Sequence, residues 1–188
     1  AGGVQGRRHD VDHVVELAAD LTPGGDATRA GDRHAVARAT EMRRDSPATW
    51  LGNDIVAVFL DPYYDRRNGL MFTTNALGGR NDGQVTNERQ YSGDWNPVWD
   101  VATGDFEGGW TVEMAIPLKS LRYQAGAAQT WGFNALRTNR WKNELSTITR
   151  LPQGRGQSAV MQASLAATVV GLEVPGGSRS LDIKPYAT

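Results

Sequence analysis

Residues 53–61 read NDIVAVFLD, and PYYDRRNG (62–69) and LMFTTN (70–75) follow directly. The first run is β-branched and aromatic and is apolar on both alternating faces. That pattern predicts a strand buried at the centre of a sheet. Pro62, Asp65, Asn68 and Gly69 are turn formers, so 70–75 reads as the return strand of a hairpin.

Working outward, the cleanest alternation lies in residues 110–117 (WTVEMAIP). Trp110, Val112, Met114 and Ile116 share one face, and Thr111, Glu113 and Ala115 share the other. Residues 99–102 are expected to pair with it across TGDFEGG (103–109). A single helical turn is expected at PLKSL (117–121), where proline is tolerated at the first position. Gly78–Gly79 and Asn81–Asp82–Gly83 read as a turn, and 84–90 as a polar edge strand. Further strands are expected at 131–137, 146–150 and 180–186, while 158–172 fits strand or helix equally. Short strands separated by Gly, Asn and Asp turns predict an all-β fold. Its expected form is a two-sheet antiparallel β-sandwich of jelly-roll or immunoglobulin-like type.

Residues 1–40 are patterned differently. All 15 aromatic residues of the 188-residue chain lie at or after Trp50. Val11, Val14, Val15, Ala18 and Leu21 fall at helical spacing behind Asp10, so a helix is expected at 11–21, ended by Pro23–Gly24–Gly25. The expectation is an atypical N-terminal segment over 1–40, helical, disordered or read from a wrong frame or start, followed by the sandwich over 41–186. The chain begins with Ala, and residues 1–20 show no charged start followed by an apolar core, so a mature form or a fragment is expected.

Composition removes several classes of function. Net charge is −1 and the pI is about 6.3, which argues against a general electrostatic grip on nucleic acid or anionic lipid. Cysteine is absent, so disulfide frameworks and thiol nucleophiles are excluded. No metalloprotease, serine-hydrolase, Walker or dinucleotide-binding motif occurs. His9, His13 and His34 all lie in the first segment. His9 and His13 have metal-ligand spacing but no third ligand beside them.

Three constellations carry chemistry. Trp95 and Trp99 bracket DWNPVWD (94–100), and Trp141 sits in NRWKNE (139–144). Indole rings among amides, acids and guanidinium groups suit a sugar, because the ring covers the C–H face and the polar groups take the hydroxyls. The candidate sugar-binding set is Trp95, Trp141, Asp94, Asn96, Arg140 and Asn143. Trp99, Trp110 and Trp131, on strands, read as core. Asp61, Asp65, Asn68 and Asp82 form a candidate oxygen-rich site for a hard cation such as calcium, though Asp and Asn are equally turn residues. Asn75 belongs to the same oxygen-rich turns. Carboxylate pairs for glycosidic hydrolysis would come from Glu88, Asp94, Asp100, Glu107, Glu113 and Glu144, an unspecific set. Glu113 reads best as a cross-strand partner for an arginine. Arg43–Arg44 and Arg66–Arg67 read as internal ion pairs or ligand forks.

The blocks EMRRDS (41–46), 53–84, DWNPVWDV (94–101), GGWTVEMAIPLKSLRY (108–123), WGFNALRTNRWKNE (131–144) and LDIKPY (181–186) together resemble the family 9 carbohydrate-binding module-like domain. This is a DOMON-like β-sandwich, and the likeness is to the kind found at the N-terminus of outer-membrane β-barrel proteins in Gram-negative bacteria. The resemblance covers roughly 41–186. It implies a carbohydrate ligand bound without cleavage, a link to polysaccharide catabolism, an optional calcium ion, and a periplasmic, outer-membrane or extracellular location. It also implies a C-terminal barrel after the KPY motif. The alternatives are a structural cap of such a barrel without sugar binding, and part of a glycoside hydrolase. Members begin with two or three strands and an aromatic before the RRD block, and 1–40 shows no pattern for them, so an open sheet edge is expected.

Overall fold

The computed structural model describes residues 39–40, 42–50, 52–106, 109–124, 126, 128–140 and 142–174, together with the backbone of 14–21. Among these residues ten strands form two antiparallel sheets. They are β1 (Val14–Leu21), β2 (Ile55–Asp61), β3 (Gly69–Asn75), β4 (Arg80–Thr86), β5 (Gln90–Ser92), β6 (Asp100–Phe106), β7 (Gly109–Pro117), β8 (Ala128–Asn139), β9 (Glu144–Thr147) and β10 (Ala167–Glu173). The smaller sheet runs β1-β7-β6. The larger runs β10-β8-β2-β3-β4-β5, with β9 also paired to β8. The all-β sandwich expected from the turn spacing is the fold observed.

β2 is flanked by β3 and β8, and all seven of its residues are buried. Its apolar character on both faces has a direct cause. Val56, Val58 and Leu60 face the smaller sheet, where they join Phe72, Trp99, Trp110, Val112, Met114, Ile116 and Trp131. Ile55, Ala57 and Phe59 face the other way, with Met71, Val85 and Leu136, and are covered by Val160, Ala163 and Ala166. Val160 and Ala163 lie in two stretches of 3-10 turn, Gln153–Met161 and Ala163–Leu165, and Ala166 follows the second. The larger sheet is thus covered on both sides at its centre. Each large side chain so removed from water is worth roughly 1.5–3 kcal/mol. β7 alternates as expected, with Trp110, Val112, Met114 and Ile116 buried and Thr111 and Glu113 exposed. Trp99, Trp110 and Trp131 are core.

Five expectations change. Residues 103–106, read as part of the turn after 99–102, are strand in β6 and pair with β7. The segment read as a helix at 11–21 is strand β1 over its described part, in register with β7 from Val14↔Pro117 to Leu21↔Trp110. The unpaired edge of β7 offers main-chain partners along the whole segment, and this outweighs a weak helical spacing. Asn81–Asp82–Gly83 is not a turn but the middle of β4, where both polar side chains are buried with partners. The polar strand expected at 84–90 is instead the end of β4, a turn at 87–89 and the start of β5, which is the sheet edge. The 158–172 segment divides into 3-10 turn and then β10. The strand expected at 180–186, the KPY junction, Glu107 and the three histidines lie outside the described residues. No helix among the described residues is long and apolar enough to cross a membrane.

Candidate functional site

At the Asp61 end of β2 a groove of about 390 Å³ opens between three pieces of chain. One is the β2–β3 turn, contributing Asp61, Tyr63, Asp65 and Asn68. The second is β4, contributing Gln84 and Thr86. The third is the turn after β7, contributing Lys119 and Arg122. Trp95, from the loop between β5 and β6, lines it as well.

The local sequence explains each wall. In the β2–β3 turn Tyr64 and Arg66 hold φ of 52° and 58°, a left-handed conformation that costs a non-glycine residue energy. Asp61, 1 % exposed, offsets that cost: its carboxylate accepts the backbone N–H of Asp65 at 3.2 Å and of Arg66 at 2.9 Å. Burial pushes its carboxyl above the usual range, and the Asp65 charge adds to this, while those amide donors pull the other way. Asp65 accepts the N–H of Arg67 and of Asn68, both at 2.8 Å, and the Asn68 side-chain amide at 2.6 Å. Partial burial raises its carboxyl, but these donors and the Arg67 charge outweigh it and leave it below the usual range. Arg66 turns away from the groove. It donates to the Ala166 carbonyl at 2.5 Å and to Thr168 at 2.6 Å, and lies 4.2 Å from the Tyr64 ring centre.

The Trp95 loop is tied from beneath. Arg44 donates to the Pro97 carbonyl at 2.9 Å, Ser120 to Val98 at 2.7 Å and Arg80 to Trp99 at 2.6 Å. The Trp99 indole donates to Asp82 at 2.7 Å, and Arg44 pairs with the same carboxylate oxygen at 2.7 Å. Trp95 itself is half-buried and meets Phe72 edge-on, ring centres 5.7 Å apart. Tyr63 is 47 % exposed.

The structure regroups the residues singled out by sequence. Trp95 lines the groove, while Asp94 and Asn96 are exposed beside it and do not. Asp94 is engaged with the Ser92 hydroxyl at 3.1 Å. Arg140 and Asn143 are not part of this site. They sit in the β8–β9 turn at the Ile55 end of β2, about 20 Å away along the strand. Arg140 is committed there: it donates to the Trp50 carbonyl at 2.9 Å and the Asn53 carbonyl at 3.3 Å, and its backbone N–H to Asp54. Trp141 lies outside the described residues.

The cation set also divides. Asp61, Asp65 and Asn68 line the groove, whereas Asp82 is buried apart from them against Arg44 and Trp99. Burial pushes the Asp82 carboxyl up despite the Trp99 and Arg44 donors. A calcium ion needs several oxygens converging on one point. Here Asp61 and Asp65 direct theirs at the amides of their own turn, and no group of three acidic or histidine ligands forms among the described residues. The four residues therefore do not come together as one donor set.

Of the hydrolytic candidates, Glu88 accepts the Ser164 N–H at 2.5 Å, Asp100 lies 3.5 Å from Arg80, and Glu113 stands on the outer face of β7. None lines the groove. The arginine runs serve internal contacts through Arg44 and Arg66.

Sequence reasoning missed Tyr63, Gln84, Lys119 and Arg122. Their signals were present. Tyr63 is an aromatic inside an oxygen-rich turn. Gln84 alternates outward in β4, and in PLKSLR the buried pair Leu118 and Leu121 leaves Lys119 and Arg122 outside.

No family model and no curated protein matches the sequence. Solved structures do. A family 9 carbohydrate-binding module from Caldicellulosiruptor kristjanssonii, solved with cellotriose, superimposes with a TM-score of 0.53 at 16% identity, over 93% of this chain and 76% of that one. A candidate carbohydrate-binding protein from Bacteroides uniformis gives 0.54 at 13% identity, over 71% and 67%. The fold of this chain is the fold of the family 9 carbohydrate-binding modules.

Proposed function

We propose that the chain is a non-catalytic saccharide-binding module serving polysaccharide breakdown, with its ligand in the groove at the Asp61 end of β2. The observation that carries this reading is the groove's composition. Two aromatic side chains, Trp95 and Tyr63, line one cleft with Asn68, Gln84 and Thr86. A pyranose needs an apolar platform for its C–H face and amide or hydroxyl partners for its rim. The volume lies within the roughly 300–1,000 Å³ of small-molecule sites. The shared fold supports the reading, since the Caldicellulosiruptor module was solved with a saccharide. The two carboxylates of the groove are bound to their own turn, which favours holding a sugar over cleaving it.

Affinity electrophoresis through gels containing soluble plant and bacterial polysaccharides tests the proposal. At least one glycan should retard the protein. Tyr63→Ala, at an exposed position, should weaken that retardation about tenfold with the thermal midpoint unchanged. Trp95→Ala should abolish it. Absence of retardation by every glycan, from a protein shown to be folded, would assign the domain a structural or interaction role instead.

A further inference from the structure

Four charged side chains line the groove, Asp61, Asp65, Lys119 and Arg122, and they are not equivalent. The acids are satisfied within the β2–β3 turn. Asp61 takes two backbone N–H groups, and Asp65 takes two more and the Asn68 amide. Arg67 also lies close enough to Asp65 to lower its carboxyl. Lys119 and Arg122 have neither an ion pair nor a hydrogen bond among the described residues, and both are exposed. The turn Leu118–Ser120 and the extended residues after it bury Leu118 and Leu121, which leaves the two cations, three positions apart, exposed to solvent. Ser120 fastens that turn to the Val98 carbonyl at 2.7 Å, and Gln124 fastens the next residues to the Tyr63 carbonyl at 2.8 Å. The cations therefore stand on an anchored wall beside both aromatics. The whole chain has a net charge of −1, so this is a local feature and not a general basicity.

We infer that the groove selects acidic saccharides, with a uronate carboxylate held by Lys119 and Arg122. The inference rests on the saccharide-binding reading and specifies its ligand class. A guanidinium matches a planar carboxylate with two parallel N–H donors, and an ammonium adds a point charge. The sugar ring lies on the aromatic side, and Gln84 takes its hydroxyls.

The experiment compares three uronans, polygalacturonate, alginate and glucuronoxylan, each with its carboxyl-reduced form, in affinity gels at low salt and at 0.5 M NaCl. At least one uronan should retard the protein about tenfold more strongly than its reduced form, and salt should erase the difference. The double variant Lys119→Ala/Arg122→Ala, with its fold checked by circular dichroism, should lose that preference. Equal retardation by a uronan and its reduced form, or retardation by neutral glucans alone, overturns the acid selectivity and leaves the saccharide-binding reading standing. A preference that survives in the double variant overturns the assignment to Lys119 and Arg122. Retardation by none of these polymers or neutral glucans removes both readings together.

Discussion

At the scale of single residues, the groove depends on side chains that fasten its walls. Asp61 holds the amides of Asp65 and of left-handed Arg66, and its neighbours line the cleft. Arg140 belongs to the opposite end of β2, joining Trp50 and Asn53. Arg140→Ala should therefore cost about 1.5–3 kcal/mol of stability in urea unfolding and leave glycan retardation unchanged. Loss of retardation in a folded Arg140→Ala protein would move the site to that end. Gly83 tests packing in the same way. A Cβ there would stand 2.5 Å from the Ser92 carbonyl oxygen and 2.5 Å from the Tyr91 ring. Gly83→Ala should lower stability by about 1–3 kcal/mol, because β5 must move away. These two positions also show what the sequence hid. NDG (81–83) has the composition of a turn, yet Asn81 accepts from Trp50 and Tyr91, both at 2.8 Å, and Asp82 accepts from Trp99 and Arg44. Partners 10 to 38 residues away, in either direction, cannot be inferred from a local pattern.

Elements differ in how openly the chain announces them. β2, β3 and β7 were legible because burial on two faces or one leaves a continuous or alternating apolar record. β1 left no such record, since VVELAADL satisfies helical spacing as well as extended pairing. The edge of β7 decides between them. A chain starting at residue 39 should expose that edge, lower the thermal midpoint by more than about 5 °C and speed amide exchange in β7. An unchanged midpoint would show that the β1–β7 ladder contributes little. Half of the candidate site was legible at this scale. Trp95 was identified by its loop of Asp, Asn and Pro, and Asp61, Asp65 and Asn68 were identified as a cluster but assigned to a metal. Their shared turn is what brings them to the Trp95 groove, and its amides are the partners their carboxylates have.

At the scale of the whole molecule, two buried acids among the described residues push the pH response in one direction. Burial raises the carboxyls of both Asp61 and Asp82. A raised carboxyl favours its protonated form in the folded state. The stability it contributes is fully present below the unfolded value, about 3.9, and is lost as pH rises through the folded value. Asp65 is lowered and acts oppositely, contributing above that unfolded value and losing its contribution as pH falls through its own. The gap in thermal midpoint between the natural chain and Asp82→Asn should therefore be largest near pH 4 and shrink toward pH 7. A gap constant with pH, or one that grows toward neutrality, would refute this account. The double cover of the larger sheet has another consequence. One cover is a β-layer knitted by ladders, but the other is a run of short turns between Gln153 and Leu165 with Gly154 and Gly156 inside it. A protease cutting at Arg155 would unlatch that shutter and let solvent reach Phe59 and Met71 while the β2–β3 turn kept its own Asp61 and Asp65 hydrogen bonds. The domain should yield first to nicking there, and the nicked form should bind a hydrophobic dye before it loses its hold on glycan.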